Sequence, residues 1–123
     1  MIVLDDQLSS ALVSAAIERW SPGAVISVRR FRPHGQLPDS EIPACLLQLP
    51  QPTFVTINYD DFWQLRLAHA RYCLVCLKLE QRESHRVPEI LRAVLSLPEF
   101  RTKRQRMGKL ISWRDGKVSY FSL

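Results

Sequence analysis

The sequence predicts an α/β domain: a mainly parallel central sheet flanked by helices and ending in a β-hairpin. Three observations carry this reading. Short apolar runs recur at residues 2–4, 24–31, 53–57 and 72–79; the stretches between them hold apolar residues at helical spacing; and Asp115-Gly116 sits between two β-type runs near the end. Strands alternating with helices over short connections favour parallel pairing, because a crossover helix carries the chain back to the start of the next strand. A chain of 123 residues fits one domain, residues 1–123, whose core needs neither disulfide nor structural metal.

Ile2-Val3-Leu4, closed by Asp5 and Asp6, reads as a buried strand. Leu8, Leu12, Ala15, Ala16, Ile17 and Trp20 recur in steps of three and four, so residues 7–20 are expected to be an amphipathic helix stopped by Ser21-Pro22-Gly23. Residues 24–31, with Val25, Ile26 and Val28, form the second expected strand, broken at Pro33-His34-Gly35. Pro38-Asp39-Ser40-Glu41 looks like a helix start with Asp39 or Ser40 as cap, and Pro43 is tolerated in a first turn.

After Pro50 and Pro52, Thr53-Phe54-Val55-Thr56-Ile57 is a third strand. Asp60 and Asp61 open a helical stretch expected to reach about Ala70, and residues 72–79 make a fourth strand. Val87, Ile90, Leu91, Val94 and Leu95 share one face of a helix over residues 83–97, with Pro88 near its start and Pro98 beyond its end. With Asp115-Gly116 as a two-residue turn, Trp113 should face Val118 and Ile111 should face Tyr120.

The net charge is +5, from 17 Lys and Arg against 12 Asp and Glu. That balance favours an acidic partner such as nucleic acid. No apolar run approaches the roughly 18 residues that a membrane span needs, and no signal peptide is read at the start, so a cytoplasmic location without membrane partners is expected. Cys73 and Cys76 lie on one expected strand, where positions three apart point to opposite faces; they read as buried apolar residues rather than a metal or disulfide pair. His34, His69 and His85 are scattered without metal spacing, and no Ser/His/Asp arrangement accompanies Ser9 and Ser10.

The acids are distributed unevenly. Asp5 and Asp6 follow the first strand, Asp39 and Glu41 follow the second, and Asn58, Asp60 and Asp61 follow the third. Ligands of open α/β sheets bind outside the carboxyl ends of the strands, so these groups can converge on one edge. Carboxylates completed by water suit Mg²⁺ or Mn²⁺ better than zinc. Acids at helix starts also serve as caps, which leaves Asp6, Asp39, Asp60 and Asp61 open to a purely structural reading.

Three segments carry a family resemblance: Ile2-Val3-Leu4-Asp5-Asp6, Leu37-Pro38-Asp39-Ser40-Glu41-Ile42, and Thr56-Ile57-Asn58-Tyr59-Asp60-Asp61-Phe62. Together with the terminal hairpin, they resemble the PIN-like superfamily, in particular the small single-domain members related to VapC-type toxins. The resemblance implies that Asp5, Asp39 and Asp61 are metal ligands and that Asp6 and Glu41 are auxiliary acids, with Asp6 assisting catalysis. Thr56 and Asn58 would shape the site beside Asp60. Gln7 stands where Asn is frequent, and Asn58 where an Asp also occurs.

The implied activity is Mg²⁺- or Mn²⁺-dependent cleavage of RNA by a metal-activated water, as the toxin half of a toxin–antitoxin pair. An antitoxin protein and a second copy of the chain are the implied partners. Arg101, Lys103, Arg104, Arg106 and Lys109 could grip an RNA backbone or could form a solvated connector. Trp63 could stack on a base or belong to the core. The alternative is a catalytically weak PIN-like domain that binds nucleic acid or protein.

Overall fold

The computed structural model describes Met1–Leu123. Six strands, β1 (Ile2–Leu4), β2 (Val25–Ser27), β3 (Thr53–Thr56), β4 (Cys73–Leu77), β5 (Lys109–Arg114) and β6 (Lys117–Ser122), form one sheet in the order β2-β1-β3-β4-β5-β6. All neighbours run parallel except β5 and β6. Five α-helices accompany the sheet: α1 (Ala11–Glu18), α2 (Ile42–Leu46), α3 (Tyr59–Phe62), α4 (Val87–Leu95) and α5 (Lys103–Arg106).

Apolar side chains alternate across the sheet into two cores. Val13 and Ile17 of α1 and Val87, Ile90, Leu91, Val94 and Leu95 of α4 cover one face, against Ile2, Leu4, Val55, Val75 and Ile111. Ile42 and Leu46 of α2 and Phe62 of α3 cover the other, against Val3, Phe54, Leu74 and Leu110. Cys73 joins the first cluster and Cys76 the second, as their odd spacing on a strand requires. Burial of a side chain such as Phe54 contributes roughly 1.5–3 kcal/mol, and with both faces covered every residue of β4 is buried.

The hairpin has the expected register, with Trp113 opposite Val118 and Ile111 opposite Tyr120. Asp115 and Gly116 both take positive φ, +50° and +79°, as a two-residue turn that follows the strand twist demands.

Several expected elements are shorter because side chains intercept the backbone. The helix expected over residues 7–20 is a 3₁₀ turn, Asp6–Leu8, followed by α1, whose start is set by the Ser10 hydroxyl accepting from the Leu12 amide. Ser27 accepts from the Arg29 amide and ends β2, turning residues 28–30 into a 3₁₀ turn rather than strand. The stretch expected to be helical up to Ala70 contains only α3 and a 3₁₀ turn at Leu65–Leu67. Before α4, residues Gln81–Arg86 are 3₁₀, and Pro88 lies in the first turn of α4, where its missing N–H costs nothing.

Strand order decides where the acids meet. The chain passes from β1 outward to β2, returns across β1 to β3, and then proceeds the other way to β6. The sheet therefore reverses direction of growth between β1 and β3. A crevice opens at the carboxyl ends of such a pair, because the connections leaving the two strands cover opposite faces.

Candidate metal site at the carboxyl edge

Asp5 follows β1 directly, and its backbone amide still donates to Val55 of β3. Its side chain is 2% exposed, which makes it the most buried acid of the chain. One oxygen, Oδ2, accepts from the Thr56 hydroxyl at 2.6 Å, and the other accepts from the Asp6 amide at 2.8 Å. Thr56 is held in turn, since its hydroxyl accepts from the Asn58 amide at 2.9 Å. Burial pushes the Asp5 carboxyl above its ordinary range; the two hydrogen bonds oppose that, and the charges of Asp39 and Asp6 add to it.

Asp39 and Asp61 meet over Asn58. The Asn58 side-chain nitrogen donates to Asp39 Oδ2 at 3.1 Å and to Asp61 Oδ2 at 2.9 Å, so the two carboxylate oxygens are at most about 6 Å apart. Asp39 is raised above its ordinary range by partial desolvation and by the Asp61 charge. No Lys or Arg forms an ion pair with Asp5, Asp39 or Asp61. Three carboxylates from segments far apart in the chain thus share one edge without a basic neutralising partner.

Asp6, Asp39, Asp60 and Asp61 lie in the first turns of their helical segments, where they complement the dipole, but none makes a side-chain cap hydrogen bond. Pro38 precedes the 3₁₀ turn containing Asp39, and Asn58 precedes α3; neither helix start has a side-chain cap. Asp39 and Asp61 turn their carboxylates toward Asn58 instead. Asp6 pairs with Arg29 Nε at 2.5 Å, and Glu41 pairs with Arg32 at 3.5 Å. Asp5 alone caps, through the amide of Asp6.

Asp5, Asp6, Gln7 and Asp39 line a cleft of about 370 Å³ with Gln36, Leu37 and Pro38. The side-chain oxygen of Gln7 is buried without a hydrogen-bond donor. Mg²⁺ needs only one or two carboxylates when water and substrate complete its shell, and Asp5, Asp6 and Asp39 line the same cleft. No three His, Cys, Asp or Glu side chains are gathered tightly enough to enclose an ion by themselves. The fit is to an open, water-completed site, with the Asn58 amide standing between Asp39 and Asp61 where positive charge is needed.

No protein-family model, curated protein or solved structure matches this chain.

Asp60 lies apart from these acids, beside Asn58, Lys78 and Glu80 in a second cleft of about 380 Å³. Between Asp60 and Asp61, then, it is Asp61 that faces Asp39. Trp63 belongs to an aromatic stack, with ring centroids 6.0 Å from Tyr59 and 5.1 Å from Phe121. The basic run falls elsewhere: α5 precedes β5, and the Gly108 amide donates to Tyr72 at the start of β4. Arg101, Lys103, Arg104, Arg106 and Lys109 therefore cluster toward the amino edge, about 15 Å of strand from the acids.

Besides Arg29 and Arg32, which pair with Asp6 and Glu41, other cations lie further along the carboxyl edge. Lys78 follows β4, with its ammonium 5.5 Å from the centre of the Tyr59 ring, while Arg114 and Lys117 flank the hairpin turn. Gln7 stands out in the sequence only as a departure from a frequent Asn; its unfilled hydrogen bond is a tertiary feature that no spacing rule reports.

Proposed function

We propose that the chain is a PIN-like, Mg²⁺- or Mn²⁺-dependent ribonuclease whose site is the carboxyl edge between β1 and β3. The observation that carries this reading is the convergence of Asp5, Asp39 and Asp61 without a basic partner, one of them almost fully buried. Gathering like charges costs stability, and a divalent ion offsets that cost. Bound there, the ion would lower the pKa of a water and neutralise charge developing on a phosphodiester.

The chain's own groups divide the remaining work. Asp5, Asp39 and Asp61 would hold the ion, with the Asp5 carboxylate oriented by the Thr56 hydroxyl. Asn58 sets the separation of Asp39 and Asp61. Asp6, tied to Arg29, lines the cleft, and Glu41 pairs with Arg32, which donates to the carbonyl of the lining residue Gln36. Lys78 and Arg114, on the same edge, would meet RNA phosphates. The resemblance in the three acidic segments extends the reading to a toxin that acts with an antitoxin and pairs with a second copy.

A second reading, a catalytically weak nucleic-acid- or protein-binding domain, draws on Asn58, whose amide supplies positive character where a catalytic ion would sit. Incubation of mixed single-stranded RNA with Mg²⁺ or Mn²⁺, comparing wild type with Asp5→Asn and Asp61→Asn, separates the two. Divalent-dependent cleavage lost by at least about 100-fold in both variants supports the nuclease. RNA bound but intact at every metal concentration refutes it in favour of the binding domain.

A further inference from the structure

A cavity of about 560 Å³ lies at the opposite edge of the sheet, where the turn after α1 meets α4 and α5. Arg92, Arg101, Lys103 and Arg106 line it, with Trp20 and Gly23 at its wall, and no Asp or Glu contributes to the lining. None of these four cations forms an ion pair; the chain's four ion pairs use Arg29, Arg32, Arg82 and Arg86.

Arg106 is half-buried, and its guanidinium is fixed by donating to two backbone carbonyls, Phe100 at 2.6 Å and Arg101 at 3.3 Å. Arg101 donates to the Ser96 carbonyl at 3.5 Å. The Arg106 guanidinium is thus held in place by neutral acceptors, with a donor to spare, beside a lysine and two more arginines. Arg92, Arg101 and Lys103 are exposed, so water screens much of their mutual repulsion, and an anion among the four cations would offset the remainder.

We propose that this cavity binds the terminal phosphate or polyphosphate of a nucleotide, either free or at the 5′ end of an RNA strand. A terminal phosphate carries up to two charges and three oxygens at one point, which suits several cations around a single cavity. Internal phosphodiesters carry one charge each and are spaced along a strand, and they suit an open track instead. The volume exceeds what inorganic phosphate needs and leaves room for a sugar and base beside the Trp20 indole. A Cβ at Gly23 would make ordinary contact with the Met1 backbone nitrogen at 3.4 Å and the Lys103 ammonium at 3.6 Å, so only a larger side chain such as Leu would take up space at the cavity wall. The site is separate from the acidic edge and does not rest on the nuclease reading.

The test uses the full chain in EDTA at low ionic strength, with titration calorimetry of ADP and of tripolyphosphate. Both should bind, and the surface variant Arg92→Glu/Lys103→Glu should weaken each by at least about tenfold, as expected from losing charge-assisted hydrogen bonds. Gly23→Leu should weaken ADP similarly by filling the cavity, whereas Asp5→Asn/Asp61→Asn should leave binding unchanged. ADP should also move one indole N–H resonance, absent in Trp20→Phe. Comparing 5′-phosphorylated with 5′-hydroxyl RNA identifies the source: a tenfold preference for the phosphorylated strand indicates RNA ends, and equal binding with retained ADP affinity indicates a free nucleotide. Failure of both ADP and tripolyphosphate to bind overturns the proposal, as does ADP binding that survives Arg92→Glu/Lys103→Glu. Either result leaves RNA cleavage at the other edge untouched.

Discussion

Asn58→Asp probes the acidic edge most directly, because it reverses the charge character of one side chain while barely changing its shape. In the wild type, the Asn58 nitrogen donates to Asp39 Oδ2 at 3.1 Å and Asp61 Oδ2 at 2.9 Å. Substitution removes both donors and places a third carboxylate oxygen close to the other two. At about 3 Å, two like charges repel by about 1.4 kcal/mol in bulk water and about 5 kcal/mol at an effective dielectric of 20. Asp39 and Asp61 are exposed at the residue level, so screening and rotation of the new side chain favour the lower end.

Adding the lost hydrogen bonds at about 0.5–1 kcal/mol each, a net loss of about 2–3 kcal/mol is expected without divalent ions. For a chain of this size that corresponds to a fall in Tm of roughly 10 °C. Urea denaturation in EDTA, in Mg²⁺ and in NaCl of matched ionic strength reads it. Divalent ion should restore the variant by more than it raises the wild type, since the new carboxylate adds a ligand. If the variant loses nothing in EDTA, or if NaCl restores it as well as Mg²⁺, the acids do not form a cation site.

Two further outcomes follow from the same residues and from the core. Asp5 has a carboxyl raised by burial, so the stability it contributes is complete below the ordinary carboxyl range and is lost as pH rises through its folded value. Asp5→Asn should therefore gain on the wild type between pH 4 and 7 in EDTA, measured by urea denaturation, and a variant that loses ground over that interval contradicts the assignment. Cys73 and Cys76 are buried on opposite faces of β4, and burial pushes the Cys73 thiol up to about 12 and Cys76 higher still. A colorimetric thiol reagent should titrate only Cys45 in the native protein and all three cysteines in denaturant; rapid native reaction of a second thiol would disprove the burial of β4.

What was legible in the sequence was whatever depends on neighbours a few positions apart. The αβ alternation, the burial of β4, the opposite orientations of Cys73 and Cys76, and the hairpin register all follow from periods of two or 3.6 residues and from Asp115-Gly116. Helix lengths followed less well, because single hydroxyls such as Ser10 and Ser27 redirect backbone amides that periodicity treats as uniform.

The acids themselves were visible from the start, but their division of labour was tertiary. Asp6 turns to Arg29, Asp39 reaches Asn58 rather than capping its own turn, and Asp61 rather than Asp60 joins it. The basic run, none of whose side chains forms an ion pair, went to the amino edge, where Arg101, Lys103 and Arg106 line a cavity with Arg92. Local propensity sets which segments become strands and turns; which segments meet depends on strand order. In this protein the reversal between β1 and β3 brings residues 5, 39 and 61 together and leaves residues 101–109 at the far end of the sheet.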